Sequence, residues 1–442
     1  MKTILKFSSF AFLFLFISTF YSCEDKIIES QTYKANVPEY MSYDDLRSSV
    51  KMTESTQLCH PGKMYFKDNY IFINEQQKGV HVYDNSNPAS PVNLTFIEIP
   101  GNVDISIFND ILYADSYVDL VAIDISDINN VTEIYRSENI FEYTIPAFDF
   151  DYPVSDVEEQ KGVVLGWKIE NVTETIDIHS KNYNLLYTSS FEDGGAWNGG
   201  INSSGPASNS GGVGNSGSAY GVGGSMARFM IYSKYLYVLR EFNMKTFDIS
   251  NPLAPREISD INIDRVSETL FVYENNMFIG TQTGMVVYSL ANPANPVYLS
   301  EFNHIQSCDP VVVNDGYAYV TLRAGNSCGG FENQLDVVDI SLITNPVLVE
   351  TYPLKEPYGL GIDSGTLFIC DGDDGLKVYD ACDPLAIDEN MIKHFPDINA
   401  FDVIPLNDVL LMIGSDGLYQ YDYSDLDNLS LLSVINVNNC DP

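Results

Sequence analysis

Basic side chains are scarce in this chain of 442 residues. It has 23 Lys and Arg against 61 Asp and Glu, so its formal net charge is −38. Neutralising the phosphates of nucleic acids requires clustered basic side chains, and this composition therefore excludes a general nucleic-acid-binding protein. Disorder over the whole length is excluded as well, because 45% of the residues are hydrophobic and 12% are aromatic, enough to bury a large core.

Long hydrophobic runs are also rare, and the longest is Phe7–Phe20, which follows Lys2 and Lys6. At about 14 residues the run is short for a transmembrane helix and is typical of a secretory signal peptide. Phe20-Tyr21-Ser22-Cys23 resembles the loose lipobox of Bacteroidetes lipoproteins. The resemblance implies that residues 1–22 are a lipoprotein signal peptide and that Cys23 is lipidated. A cleaved secretory signal with an incidental cysteine is the alternative.

The residues after Cys23 predict how the protein is displayed. Glu24-Asp25 resembles the acidic export signals of surface lipoproteins in the same group. This implies an outer-membrane protein that is held by its lipid anchor and exposed at the cell surface, with a periplasm-facing protein as the alternative. Residues 24–57 are polar and show little periodicity, so we expect them to form a flexible tether.

Cysteine is infrequent, with seven in the chain. If Cys23 carries lipid, six remain for disulfides in an oxidising compartment, and sequence alone does not choose among their pairings. The candidates are Cys308 with Cys328, which flank one predicted hairpin, Cys59 with Cys440, which bracket the globular region, and Cys370 with Cys382, which remain by elimination and are alternatively free thiols. No spacing is CxxC and the five His are scattered, so a zinc site is disfavoured.

One sequence pattern recurs along the chain. It is a short run of β-forming residues, a marker residue, a polar turn that usually contains Asn-Pro or Asp-Pro, and then another run. The markers are Asp84, Asp124, Asp248, Ser289, Asp339, Asp380 and Asp422. Five of the six intervals lie between 40 and 50 residues, and the interval from Asp124 to Asp248 is 124 residues. A period of about 41 residues with several short strands per unit indicates the blades of a β-propeller.

The predicted fold is an all-β propeller of four-stranded blades over residues 58–442. Seven markers favour seven blades, and six or eight blades are the alternatives. The run that contains Trp167 could begin an eighth blade. Residues 130–224 hold either diverged blades or an irregular insertion. Within them, residues 193–224 contain 12 Gly and 6 Ser, so we expect a mobile loop.

The repeat unit resembles a known family. The segment Asp248-Ile249-Ser250-Asn251-Pro252-Leu253-Ala254-Pro255 is similar to the LVIVD repeat of bacterial and archaeal surface propellers, and Gly223–Phe229 also resembles lipoproteins of this group. The resemblance implies a propeller displayed at the cell surface. It attaches no catalytic motif to the chain, because a repeat specifies a fold far better than a function.

Ionisable residues form one column when the first hairpin of each repeat is aligned on its turn. Five positions before the turn stand Lys63, Asp104, Arg228, Asp309 and Asp402, and Tyr358 takes the corresponding place beside Gly359. First strands line the channel of a propeller, so we expect the column to ring one mouth of it. Such a ring could bind a metal or a polar ligand or perform acid–base catalysis. The alternative is solvated strand ends and ion pairs between blades.

The other motifs in the sequence indicate structural elements and not catalytic or metal-binding sites. Asp371-Gly372-Asp373-Asp374-Gly375 lacks the frame of a calcium loop and predicts a tight hairpin turn. We therefore predict neither a metal site nor a cofactor. Two functions stay open: a non-catalytic binding or scaffold module for a protein or glycan partner, which we favour, and an enzyme acting on an extracellular polysaccharide through Asp104, Asp309 or Asp402.

Overall fold

The protein folds as a seven-bladed β-propeller. The structure is a computed structural model and describes residues 28–177, 222–225, 227–303, 310–324, 332–438 and 440. Seven antiparallel sheets, each containing four consecutive strands, are the blades. The predicted all-β propeller with seven blades is confirmed. Residues 1–22, Cys23, Cys308, Cys328, Asp309 and the loop residues 193–221 lie outside the described residues, so the predictions made for them stay predictions.

The elements follow one another in blade order. Ahead of the first blade lie β1 (Ile28–Met41), α1 (Tyr43–Arg47) and β2 (Lys51–Glu54). Blade 1 has β3 (Pro61–Lys67), β4 (Tyr70–Glu75), β5 (Gly79–Asp84) and β6 (Val92–Glu98), and blade 2 has β7 (Ile105–Phe108), β8 (Ile111–Ser116), β9 (Asp119–Asp124) and β10 (Thr132–Ser137). A 3-10 helix (Glu159–Lys161), β11 (Val163–Asp177) and β12 (Val222–Gly223) separate blades 2 and 3.

Five blades complete the ring. Blade 3 has β13 (Phe229–Tyr232), β14 (Tyr235–Leu239), β15 (Asn243–Asp248) and β16 (Arg256–Asn262), and blade 4 has β17 (Ser267–Tyr273), β18 (Asn276–Thr281), β19 (Gly284–Ser289) and β20 (Val297–Asn303). Blade 5 has β21 (Val311–Asn314), β22 (Tyr317–Leu322), β23 (Gln334–Asp339) and β24 (Val347–Pro353). Blade 6 has β25 (Leu360–Asp363), β26 (Thr366–Cys370), β27 (Leu376–Asp380), a 3-10 helix (Ile387–Asn390) and β28 (Met391–Phe395). Blade 7 has β29 (Asp402–Leu406), β30 (Val409–Ile413), β31 (Gly417–Asp422), a 3-10 helix (Leu426–Asn428) and β32 (Ser430–Asn436).

The recurrent marker residue closes a turn at the end of every third strand. Its side-chain oxygen accepts the backbone N–H two residues further on. Six Asp do so at 2.8–3.0 Å, namely Asp84, Asp124, Asp248, Asp339, Asp380 and Asp422, and Ser289 does so at 3.2 Å. Hydrogen bonds from the backbone and side chain of that residue lower the pKa of all six carboxyl groups. The sequence repeat is therefore a repeat of one turn.

A second hydrogen bond joins this turn to the first hairpin of the same blade. The residue after the marker donates its N–H to the turn between the first and second strands at 2.7–3.0 Å. The pairs are Asn85–Asn69, Ile125–Asp110, Ile249–Lys234, Leu290–Asn275, Ile340–Gly316, Ala381–Gly365 and Tyr423–Asp408. The donor side chain is buried in every blade. This explains why an apolar residue usually follows the marker.

The first strand of each blade lies innermost. The strands of a blade follow one another in sequence across its sheet, and first strands of successive blades contact each other from blade 1 to blade 7. An apolar cluster containing Met64 and Ile73 of blade 1 and Ile404 and Leu411 of blade 7 completes the ring. Because strands alternate in direction, the marker turns lie at one end of the blades, and the starts of the first strands lie at the other end.

A disulfide joins the two ends of the propeller. Cys59 and Cys440 are bonded, with 5.6 Å between their Cα atoms, which confirms that predicted pairing. The Asn438 N–H donates to the Leu58 carbonyl at 2.9 Å beside it. The buried Glu75 carboxylate accepts the Cys59 N–H at 2.9 Å. Each blade is built from consecutive strands, so these contacts hold the first and last blades together without exchange of a strand.

The pairing of Cys370 with Cys382 is wrong. Cys370 is a buried free thiol at the end of β26, and Cys382 is an exposed free thiol after β27. In that hairpin Cys370 is opposite Leu376, whereas Cys382 follows Asp380, which is opposite Thr366. The two cysteines therefore lie at opposite ends of a strand of about four residues, or roughly 13 Å apart, well beyond the Cα separation of a disulfide.

Residues 28–54 contain regular structure where we expected a flexible tether. Strand β2 extends the outer edge of blade 1 by pairing with β6, with Lys51 opposite Glu98. Helix α1 follows Ser42, whose hydroxyl accepts the Asp45 N–H at 3.1 Å, and it buries Leu46. Its apolar residues are too few to produce a periodic pattern, so composition alone suggested a coil.

The chain divides into two compact units, and the propeller belongs to the larger one. Among the described residues the smaller unit comprises 28–40, 145–158 and 164–177, and β1 and β11 form its two-stranded sheet. Trp167 lies in β11, so the run around it does not begin an eighth blade. The described part of residues 138–228 builds no further blade and is an insertion between blades 2 and 3. No helix in the described ranges is long and apolar enough to span a membrane.

Removing the Cys59–Cys440 disulfide should destabilise the propeller. Closure of a long loop restricts the unfolded chain, and loss of such a disulfide costs about 3 kcal/mol. We expect Cys59→Ser and Cys440→Ser to lower the melting temperature equally, and calorimetry to show no further loss in the double variant. Cys382→Ser is the matched control, because that thiol is free and exposed. An unchanged melting temperature in Cys59→Ser would contradict the assigned role.

The marker turn predicts different effects for two substitutions of Asp248. Asp248→Ala removes the acceptor of the Ser250 N–H, which lies at 3.0 Å, and should cost about 1 kcal/mol. Asp248→Asn keeps an oxygen at that position and should retain most of the stability at pH 7. Denaturant unfolding measures both. Equal losses in the two variants would show that the turn hydrogen bond does not account for the repeat.

Candidate functional site

Three residues of the predicted column are buried at the starts of the first strands. Lys63 lies in β3, Asp104 directly precedes β7, and Asp402 begins β29. Their exposed fractions are 8%, 2% and 0%. We expected side chains ringing an accessible channel mouth, and solvent reaches these three hardly at all.

The chain itself fills the centre of the ring. Residues 222–225 and 227–228, which we call the channel segment, cross it just before blade 3 begins. Strand β12 pairs with the inner edge of β3, placing Val222 opposite Phe66 and Gly223 opposite Tyr65. The segment also reaches blades 2, 4 and 6, as described next. A stretch that bonds to the inner strands of four blades around a ring must occupy the channel between them.

Hydrogen bonds attach the channel segment to three further blades. The Arg228 N–H donates to Asp104 Oδ2 at 2.6 Å in blade 2. The Ala227 carbonyl accepts the Leu270 N–H at 2.8 Å in blade 4. The Ser225 hydroxyl oxygen accepts the Leu360 N–H at 3.0 Å in blade 6. The segment thereby satisfies backbone groups of inner strands that have no neighbouring strand on the channel side.

Asp104 holds the segment and a buried cation at the same time. Its carboxylate accepts from the Lys63 ammonium and from the N–H groups of Arg228 and Ile105. Burial lowers the pKa of Lys63 and the Arg228 charge adds to this, while the attraction of Asp104 opposes it. The ion pair compensates two charges that are largely shielded from solvent.

Asp402 is the least compensated group of the column. Oδ1 accepts the Val403 N–H at 2.9 Å, and Oδ2 has no hydrogen-bond partner among the described residues. The Ser225 hydroxyl lies close enough to lower the pKa of this carboxyl without reaching hydrogen-bond geometry. Burial dominates and raises the pKa well above its usual range, against smaller contributions from Val403, Lys63 and Ser225. The neutral acid is therefore the favoured form.

Gly359 is required for the position of Asp402. A Cβ added to Gly359 would stand 2.1 Å from Asp402 Oδ1, so glycine leaves the space that the Asp402 carboxyl group occupies. The Gly359 N–H donates to the Phe401 carbonyl at 2.8 Å. The buried thiol of Cys370 lies nearby, and burial raises its pKa, with the charges of Asp402 and Asp371 adding to the effect.

Tyr358 is half-buried and packs among aromatic and charged neighbours. The Arg323 guanidinium stacks over its ring at 4.0 Å from the centroid, and Phe401 packs 5.1 Å away. The Tyr358 hydroxyl donates to Glu356 Oε1 at 3.1 Å, and its carbonyl accepts the Thr321 hydroxyl at 2.7 Å. Its pKa is raised chiefly by burial. The ring and the hydroxyl of Tyr358 therefore both have partners within the protein.

The structure brings some residues of the predicted column together and separates others. The structure brings Lys63, Asp104 and Asp402 together around the channel segment, with the Arg228 backbone between them. The Arg228 side chain itself is exposed, and Asp309 lies outside the described residues. The interaction that sequence reasoning missed is the contact with Ser225. The Gly-Gly-Ser run before blade 3 marked the segment, but nothing in it indicated that it enters the channel.

Two other features of the described structure bear on ligand binding. The Asp371–Gly375 stretch is a turn. The ammonium group of Lys377, which follows the turn, bonds to Asp371 at 2.5 Å and to Asp374 at 2.7 Å. Within the described ranges no three His, Cys, Asp or Glu side chains cluster as a metal site. A cavity between blades 5 and 6, lined in part by Tyr352 and Ile369, has about 30 Å³, enough for about one water molecule.

Two segments of the chain match a known family model. The model described as "LVIVD repeat" matches residues 64–96 and 307–353. These two segments of the chain match the LVIVD repeat. The first match covers most of blade 1, and the second spans blade 5 from its first described strand to its last. The LVIVD markers Asp84 and Asp339 lie in these matches and make the turn described above.

The comparison with solved structures bears on the fold alone. A protein from Lactobacillus plantarum has a TM-score of 0.50 at 10% identity, over 86% of this chain and 97% of that one. The computationally designed Ika8 protein has a TM-score of 0.49 at 10% identity, over 86% and 88% of the two chains. A functionally unknown protein from Desulfotomaculum acetoxidans has 0.48 at 12% identity, over 83% and 95%. No curated protein sequence matches the chain.

The burial of Asp402 predicts a pH-dependent effect of Asp402→Asn. The raised pKa means that the stability from this carboxyl is complete below its unfolded pKa, about 3.9, and is lost as the pH rises through the folded value. Asn does not titrate. The melting temperature of Asp402→Asn should therefore rise relative to wild type between pH 5 and pH 8. Asp248→Asn, at an exposed turn, is the control without this trend, and parallel curves for Asp402→Asn would contradict the assignment.

Proposed function

We propose that this LVIVD-repeat propeller is a non-catalytic binding or scaffold module, anchored by lipid at Cys23 in the outer membrane and exposed at the cell surface. The observation that carries the proposal is the channel segment. It occupies the place where a propeller would hold a small ligand. It bonds to Asp104 and lies beside the buried Asp402, two of the three carboxylates that a polysaccharide-acting site would have used. The outer surfaces of the blades are then left for a protein or glycan partner.

Rigidity supports the same function. Seven blades share one turn geometry, a disulfide fixes the ring ends, and hydrogen bonds attach the centre to four blades. A platform with so little internal freedom loses little entropy when a large partner binds to it. The formal net charge of −38 favours partners that present basic surfaces.

The proposed anchor is tested on the full chain in cells. Cys23→Ser should move the protein from the detergent-extracted membrane fraction to the soluble fraction, whereas Cys382→Ser should leave it in the membrane. External protease on intact cells should degrade the wild-type protein before a periplasmic marker. Membrane retention of Cys23→Ser would overturn the lipid anchor, and resistance to protease would indicate a periplasm-facing protein.

The proposed binding mode is tested by melting-temperature shifts of the chain from residue 24 with a glycan panel and divalent metals. A glycan that binds an outer surface should give the same shift in wild type, Asp104→Asn and Asp402→Asn, each compared with its own unliganded melting temperature. A shift that vanishes in Asp402→Asn would place the ligand in the channel and contradict the proposal.

A further inference from the structure

One loop of the smaller unit is held by a single buried residue. Asn36 in β1 is 0% exposed and bonds to the loop through both its side chain and its backbone. Its Nδ2 donates to the carbonyls of Asp149 and Tyr152 at 2.8 and 2.7 Å, and its Oδ1 accepts the Asp149 N–H at 3.2 Å. The backbone of Asn36 bonds to Pro153 and Ser155 at 2.8 and 3.0 Å. Residues 146–155, which we call the display loop, are therefore fixed at several points along their length.

The display loop exposes a phenylalanine that its own unit supports but does not bury. Phe150 is 67% exposed, the highest value for a large apolar side chain among the described residues. Its ring lies 5.0 Å from Phe148, which meets Trp167 edge-on at 5.9 Å. Trp167 donates its indole N–H to the Pro146 carbonyl at 2.9 Å. An exposed aromatic ring on a rigid support is the arrangement of a preorganised binding anchor.

The charged residues in and next to the display loop are all acidic. Residues 145–158 contain four acidic side chains and no basic one. Two of the acids, Asp149 and Asp151, flank Phe150 directly, and both are exposed. Insertion of this ring into a lipid bilayer would strip water from both carboxylates, which is costly. A protein pocket with basic residues at its rim can accept the ring and pair with the carboxylates at once.

We infer that the display loop is a docking site for a protein partner, with Phe150 entering an apolar pocket and Asp149 and Asp151 facing a basic rim. The inference rests on the proposed binding function and names one surface and the chemistry of its partner. A second copy of this chain is a poor fit, because the same acidic flanks would face the acidic surface of the copy.

Site-specific photocrosslinking in cells tests the inference. Phe150→p-benzoylphenylalanine in the full chain should give a protein adduct on irradiation. Phe242→p-benzoylphenylalanine, at a 47% exposed ring in the propeller unit, should not give that adduct. Adding Asp149→Asn and Asp151→Asn should lower the yield by about five-fold, because the rim pairing is lost. Asn can still accept the Asp151 N–H, which Asp149 Oδ1 holds at 2.9 Å, so the loop turn is preserved.

The possible outcomes separate this inference from the proposed function. An adduct with lipid or with a second copy, or none at position 150, overturns the docking site. If Leu342→p-benzoylphenylalanine, at a 61% exposed position beside a marker turn, still gives a partner adduct, the binding module stands and only the docking site fails. If no position gives an adduct, both fail. Unchanged melting temperatures of the variants show that each was tested in its folded form.

Discussion

The structure depends on how the centre of a seven-membered ring is completed. Inner strands have no neighbour on the channel side, and their backbone groups require partners. The channel segment supplies them: Ala227 accepts from Leu270, Ser225 accepts from Leu360, and Gly223 pairs with Tyr65. Asp104 holds the backbone where the segment leaves the centre, at Arg228. The insertion between blades 2 and 3 therefore contributes to closure of the ring.

This arrangement changes what the buried charges do. Lys63 and Asp104 compensate each other, and Asp402 favours its neutral form because burial outweighs its few polar contacts. In an open channel mouth, the same residues would bind ions or ligands. Here they enclose the chain's own segment, and the binding surface that we propose lies elsewhere, on the blades and on the display loop of the smaller unit.

Much of the fold could be predicted from the sequence because each blade repeats its own local chemistry. Asp248 and its equivalents form a turn within a few residues. Regular spacing of these residues along the sequence therefore indicates a regular succession of blades. The Cys59–Cys440 pairing was a candidate because the two cysteines bracket the globular region, and the structure contains it. The pairing of Cys370 with Cys382 was predicted by elimination alone. It was wrong because the two cysteines lie at opposite ends of a hairpin strand.

The site was less predictable because its decisive contacts are long-range. The alignment of first strands found Lys63, Asp104 and Asp402, since their position follows from the repeat. It could not show that Ser225, more than 130 residues before Leu360, accepts the Leu360 N–H in blade 6. Nor does the sequence around Phe150 indicate that Asn36 fixes the display loop from a distant strand. Sequence patterns describe neighbours along the chain, and these contacts join distant segments.

Hydrogen exchange with residue resolution tests the central claim most directly. The N–H groups of Leu270 and Leu360 face the channel and are bonded to Ala227 and Ser225. If the segment fills the channel, they should exchange as slowly as the amides within the blade hairpins, together with the Arg228 N–H. Exchange of all three within seconds, while the hairpin amides stay protected, would show an open channel and contradict the account.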